Sequence, residues 1–199
     1  MTNPQPLCAG FTDPVHDAQR AFRRALDGLA HPGRPYVLGS AIAGLKLGPA
    51  MGHLLLALTD DDTPVWWQKN GSSECEWLRF HTGGRPAAHP GVASFAVLTD
   101  AEAMPLLSTF ALGSPEAPEK SATLLIEVPS LEAGAAIELR GPGIQESQTV
   151  RIAGLADGFW AQWQGNHAAF PQGVDIIFTC ADKALGLPRT TRVRRLEGL

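Results

Sequence analysis

Four arginines fall within seven residues near the end of this chain: Arg189, Arg192, Arg194 and Arg195, in the run Pro188-Arg189-Thr190-Thr191-Arg192 and directly after it. A guanidinium is a planar fork of N–H donors that can bind a phosphate-like anion or a carboxylate through two bonds at once. With Arg189 and Arg192 as its candidate binding residues, the cluster has three readings. It can hold an anionic ligand, it can make ion pairs across a subunit interface, where arginine is enriched, or it can be a solvated, charged edge strand. The interface and edge-strand readings stand ahead of the ligand.

Other groups have the right atoms and weaker patterns. Asp60-Asp61-Asp62 offers carboxylates of the kind that bind Mg²⁺, and equally reads as an acidic loop that ends a helix. His81-Thr82-Gly83-Gly84-Arg85 has the backbone N–H groups and the cation of an anion nest, but not the GxxxxGK[ST] frame of a nucleotide loop. Gly141-Pro142-Gly143 is better read as a turn between two strands. The six histidines, His16, His31, His53, His81, His89 and His167, show no HxH or HxxxH spacing. They read as scattered surface or capping groups, so no metal site is expected. There is no GxSxG elbow for a serine nucleophile. Cys180 follows an apolar run and reads as a buried thiol. Lys46, Lys69, Lys120 and Lys183 are the only lysines, and none sits in a pattern that would anchor a Schiff-base cofactor. No catalytic residue and no cofactor is therefore assigned. Asp175 and His167 are expected to satisfy buried backbone groups.

These residues must be carried by regular elements. Gly10 to Arg34 predicts a helix with its own start and stop. Thr12 and Asp13 offer cap oxygens, Pro14 suits the first turn, and His31-Pro32-Gly33 ends it. Val15, Ala18, Phe22, Ala25 and Leu29 form its apolar stripe, with Arg20, Arg23, Arg24 and Asp27 largely off it. Further helices are predicted over 49–58, 101–110 and 157–168, and 74–80 is either helix or strand. Strands are predicted at 35–38, 64–67, 94–98, 123–128, 136–140, 149–152, 174–179 and 190–195, with Lys69-Asn70-Gly71 and 81–91 as turn and loop. Adjacent Trp66 and Trp67 should point to opposite faces of their strand. Helices interleave with strands early and strands cluster late, which predicts an α/β domain whose mixed sheet is flanked by helices. Residues 1–13 read as an N-terminal arm and 14–199 as one domain.

Composition bounds the function. The 199 residues are 44% hydrophobic and 18% charged, with a formal net charge of −4. Such a chain buries a sizeable core, and its charge gives no reason to expect nucleic acid or an anionic membrane as partner. Three widely spaced cysteines without a CxxC fit reduced thiols and a cytoplasmic protein. No signal peptide and no membrane span is read.

Four blocks, taken in order, carry a resemblance: Gly10–Arg34, Leu58–Trp67 (LTDDDTPVWW), Arg140–Ile144 (RGPGI) and Phe170–Arg192 (FPQGVDIIF…LPRTTR). Together they resemble the PhnH family, subunits of the bacterial carbon–phosphorus lyase machinery. The resemblance implies a fold similar to the large domain of pyridoxal-phosphate-dependent transferases, without the cofactor. It further implies assembly with the other lyase core subunits, a homodimer when isolated, and a role in forming ribose 1-phosphonate 5-triphosphate from ATP and a phosphonate. The alternative is a stand-alone phosphoryl- or nucleotide-handling hydrolase built on the aspartate run or on His81–Arg85.

Overall fold

The computed structural model describes residues 8–69 and 73–196. Asn70 and Gly71 of the expected turn, and residues 1–7 of the expected arm, lie outside them. Residues 8 and 9 lie against a helix: the carbonyl of Ala9 accepts from Trp77 Nε1 at 3.0 Å, and that of Cys8 meets His81 Nε2 at 3.0 Å.

Among the described residues there are four α-helices and nine strands. In chain order they are α1 (Pro14–Ala30), β1 (Tyr36–Val37), α2 (Pro49–Leu58), β2 (Val65–Trp67), α3 (Ser73–Thr82), β3 (Phe95–Leu98), β4 (Thr123–Glu127), β5 (Ala136–Arg140), β6 (Gln148–Arg151), α4 (Phe159–Ala168), β7 (Asp175–Cys180), β8 (Lys183–Leu187) and β9 (Arg192–Arg195). The principal sheet is mixed, in the order β1-β8-β7-β4-β3-β2. Its β2, β3, β4 and β7 run parallel, β8 runs against them, and β1, paired antiparallel to β8, runs in their direction again. A second, antiparallel sheet of order β6-β5-β9 accompanies it. The expected α/β class with a mixed sheet is present, and the late strands divide between the two sheets.

Side-chain alternation explains the layering. In β3, β4 and β7, Val97, Leu125 and Ile177 pack with Met51 of α2, Trp77 of α3 and Ala25 of α1. Their neighbours Ala96, Leu124, Ile126, Ile176 and Phe178 pack on the other face with Ile137 and Leu139 of β5 and with Phe159 and Trp163 of α4. A central parallel sheet buried on both faces reads as continuous apolar sequence, which is what these strands show. Trp66 and Trp67 divide as expected. Trp67 enters the face covered by α1, α2 and α3, and Trp66 joins the other, edge-on to Phe110 with ring centroids 5.7 Å apart.

Helix α1 starts as predicted. Asp13 has extended backbone, and its side chain accepts from His16 N at 3.1 Å. Its buried face keeps only part of the predicted stripe: Ala25 is buried and Ala18 and Leu29 are half-buried, but Val15 and Phe22 turn outward. Ala21, Ala25 and Gly28 are buried, while Val15, Phe22 and Leu26 are 63%, 45% and 52% exposed. Small residues win that face because the helix lies almost backbone-to-backbone on β8. A Cβ on Gly186 would stand 2.4 Å from the carbonyl oxygen of Gly28, an approach that only glycine permits. The same Gly186 is why β8 is absent from the sequence reading, since a glycine inside a short apolar run signals a break.

Residues 101–110 do not form the predicted α-helix. Pro105 removes a donor and disfavours helical backbone at Met104, so the segment holds only a short 3₁₀ turn at Leu107–Thr109. Residues 74–80 resolve as helix, within α3, and that helix takes in His81 and Thr82 from the predicted loop.

Tyr36 supplies a stability test. Its ring is buried, and its hydroxyl has no hydrogen-bond partner among the described residues. Burial, and after it the charge of Asp27, push the phenol above its ordinary range. An unmet buried hydroxyl costs about 1–3 kcal/mol. Tyr36→Phe should therefore raise stability by about 1 kcal/mol, read as a higher urea midpoint at unchanged slope.

Candidate functional site

The residues from Pro188 to Arg195 are built in two unlike halves. In the first, Arg189 is turned inward, with a side chain 13% exposed. Its backbone N–H donates to Asp175 Oδ1 at 2.7 Å, and its carbonyl accepts from His167 Nδ1 at 2.9 Å. The guanidinium donates to both oxygens of Asp175, to Ser121 Oγ, and to the carbonyls of Pro118 (3.0 Å) and Pro171 (3.3 Å). Asp175 and His167 thus do what the sequence suggests, satisfying backbone groups, and both do it at one residue. The next tie comes from α4, whose Trp163 Nε1 donates to the carbonyl of Thr191 at 2.9 Å. Arg189 is a strut between β7, the loop before β4 and the residues after α4.

The second half is β9, at the edge of the smaller sheet. Directly opposed residues of an antiparallel pair point to the same face. Register places Glu138 between Thr149 and Arg194, Arg140 beside Arg192, and Ala136 beside Arg151. The intervening Ile137, Leu139, Val150 and Val193 face the core. The outer face therefore carries Arg140, Arg151, Arg192 and Arg194 around one acid. Glu138 is 6% exposed in its side chain and accepts from both Arg140 Nε and the Arg194 fork, with Nε of Arg194 at 2.8 Å. The side chains of Arg140 and Arg194 nevertheless remain 64% and 71% exposed. Arg192 is exposed, and among the described residues no carboxylate lies within ion-pair distance of it. The two candidates Arg189 and Arg192 thus serve different surroundings, one internal and one on an open face.

Glycine chemistry positions this sheet. Gly143, at φ +79°, lies so close to the end of α1 that a Cβ there would stand 1.9 Å from the carbonyl oxygen of Ala30. A Cβ on Gly141 would stand 3.0 Å from the carbonyl oxygen of Thr190. The Gly-Pro-Gly turn therefore joins the end of α1 to the Arg189–Arg192 segment, so three separate sequence blocks meet at one place.

The other candidate groups are engaged as well, and the aspartate run meets the 81–85 segment, with a terminal guanidinium nitrogen of Arg85 3.9 Å from Asp61 Oδ2 on the surface. Asp60 Oδ1 accepts from Asp62 N and Thr63 Oγ1, each at 3.0 Å, which makes the aspartate run a turn after α2. In the 81–85 segment, Gly84 N–H donates to Thr82 Oγ1 and Gly83 N–H to the carbonyl of Arg79, so two donors of the supposed nest are occupied. Five of the histidines meet Asp13, Asp27, Ser40, Cys8 and Arg189, and His89 is exposed. Among the described residues no three His, Cys, Asp or Glu side chains gather as metal ligands would. Cys180 is half-buried rather than buried, its thiol donating to the Pro129 carbonyl at 3.4 Å. Glu138 and Arg151 escaped the sequence reading, although the alternation of Glu138 and Arg140 in a predicted strand was the available signal.

Hydrogen bonds from Arg194, and then from Arg140, hold the Glu138 carboxyl below the ordinary glutamate range. An acid whose folded pKa is depressed contributes stability above its unfolded pKa, and that contribution disappears as pH falls through the folded value. Wild-type thermal stability should therefore decline below about pH 4.3, and Glu138→Gln should show a flatter decline there. Equal slopes would exclude Glu138 as a contributor.

Fold and site together define an α/β protein whose distinctive chemistry is an arginine-rich sheet face held by internal struts. The chain belongs to the PhnH family, bacterial phosphonate metabolism proteins, whose family model matches residues 9–194. It is 40% identical over 199 residues to the alpha-D-ribose 1-methylphosphonate 5-triphosphate synthase subunit PhnH of Rhizobium meliloti (strain 1021), covering 98% of this chain and 100% of that protein. A second relative, HtxG of Stutzerimonas stutzeri, carries a name that ties it to C-P lyase. It is 32% identical over 175 residues, 88% of this chain and 85% of its own length.

Proposed function

We propose that this chain is a subunit of a carbon–phosphorus lyase core complex. There it serves the formation of ribose 1-phosphonate 5-triphosphate from ATP and a phosphonate, the step before C–P bond cleavage. The observation that carries this reading is the 40% identity along the whole chain to a named synthase subunit. The site supports an assembling role, because its arginines are either spent on internal acceptors or laid on an open sheet face, and the acids and the hydroxyl beside them, Asp175, Glu138 and Ser121, are taken up in holding the guanidiniums. Other proposals follow from the family. Residues 14–199 form one domain after the arm at 1–13, similar to the large domain of pyridoxal-phosphate-dependent transferases, and the isolated chain pairs as a homodimer. The protein works in the cytoplasm, takes no nucleic acid or membrane as partner and uses no cofactor. No helix among the described residues is long and apolar enough to cross a membrane.

A stand-alone hydrolase is the less supported reading, since both of its proposed sites are engaged in local turns. Reconstitution separates the two. Core subunits are mixed with ATP and methylphosphonate, with and without this chain, and phosphonate conversion is followed by phosphorus NMR. Product should form only in the complete mixture. Undiminished product without this chain, or nucleotide turnover by this chain alone, would contradict the proposal.

A further inference from the structure

The outer face of the smaller sheet has a charge opposite to that of the chain. Arg140, Arg151, Arg192 and Arg194 set against Glu138 leave it with a charge of +3 (4 − 1), on a protein of formal net charge −4. Thr149, in its middle row, is exposed beside these arginines. Small-molecule sites bury most of their ligand, whereas arginine is enriched where proteins meet. The guanidiniums are presented with care. Glu138 fixes Arg140 and Arg194 while leaving most of each side chain in solvent, and the start of β9 is tied down by the anchored Arg189–Thr191 segment. Pre-positioned arginines lose less side-chain entropy when they meet a carboxylate, and forked pairing gives orientation as well as affinity.

We propose that this face, centred on Arg192, docks an acidic surface of another protein, a different subunit of the lyase complex whose carboxylates match the guanidinium row. The proposal rests on the complex-subunit reading and names its docking surface. Complementary charge also speeds encounter and makes it sensitive to salt. A second copy of this chain would bring the same arginines against each other and is disfavoured on this face.

The test co-expresses tagged full-length chain with the other core subunits and measures their retention by quantitative mass spectrometry, at low and high salt. The variants are Arg192→Glu and, as a control on exposed α1, Arg23→Glu. Thermal melts confirm that both are folded. Retention of the partner subunit should fall about tenfold or more in Arg192→Glu and stay at the wild-type level in Arg23→Glu, and wild-type retention should weaken as salt rises. Wild-type retention by Arg192→Glu would overturn the docking surface while leaving the subunit reading intact. Intact assembly with selective loss of tripolyphosphate binding would also overturn it, assigning the face to a small anion. Failure of the wild-type chain to retain any subunit would overturn both readings.

Discussion

Arg189→Ala should lower stability by about 3 kcal/mol and the melting temperature by about 6–12 °C. The loss comes from what the substitution leaves behind. Asp175 keeps a charged side chain that is only 21% exposed and now lacks its cation. Ser121 Oγ and the carbonyls of Pro118 and Pro171 lose their donor as well. Breaking a buried pair by removing one partner costs more than the pair is worth against an apolar substitute. Arg189→Lys should recover less than half, because one ammonium cannot reach acceptors arranged around a planar fork. Calorimetric melts of the three proteins decide this. A melting temperature for Arg189→Ala within 2 °C of wild type would show that the ties are dispensable.

Trp163→Ala should cost about 3–5 kcal/mol. The indole is fully buried between α4 and the core, and its N–H is bonded to the Thr191 carbonyl. Truncation opens a large cavity and strands that carbonyl together. Trp163→Phe separates the two effects: it keeps most of the ring volume and should lose about 1 kcal/mol for the bond. Urea titrations report both, and a loss in Trp163→Phe as large as in Trp163→Ala would assign the whole effect to the hydrogen bond. Trp163 and Arg189 hold the same short segment, so their effects should not add. Either change loosens the approach to β9, which links the core to the arginine face.

Much of this is legible in the amino-acid sequence. The strands at 123–128 and 136–140, the helix at 49–58 and the opposed tryptophans follow from short apolar runs, the two-residue repeat of a strand and turn residues that act locally. What was not legible depends on partners distant in sequence. Nothing near Phe22 says that α1 must lie against Gly186, yet that approach gives the buried face to Ala21, Ala25 and Gly28 and turns Phe22 outward. Pro105 was visible, and its local veto should have outweighed the apolar spacing around it. The arginine cluster was found as a cluster, but its division into an inward strut and an open face follows from Asp175 at one end and Glu138 at the other. Each of those acids lies more than ten residues away. Pairing across strands, not proximity in sequence, decides which arginine is available.

The most direct test of the account is a tagged pull-down of this chain from its native cell grown with a phosphonate as sole phosphorus source, analysed by mass spectrometry. The account predicts recovery of the other lyase core subunits in stoichiometric amounts. Recovery of this chain alone, in cells where those subunits are expressed, would contradict it.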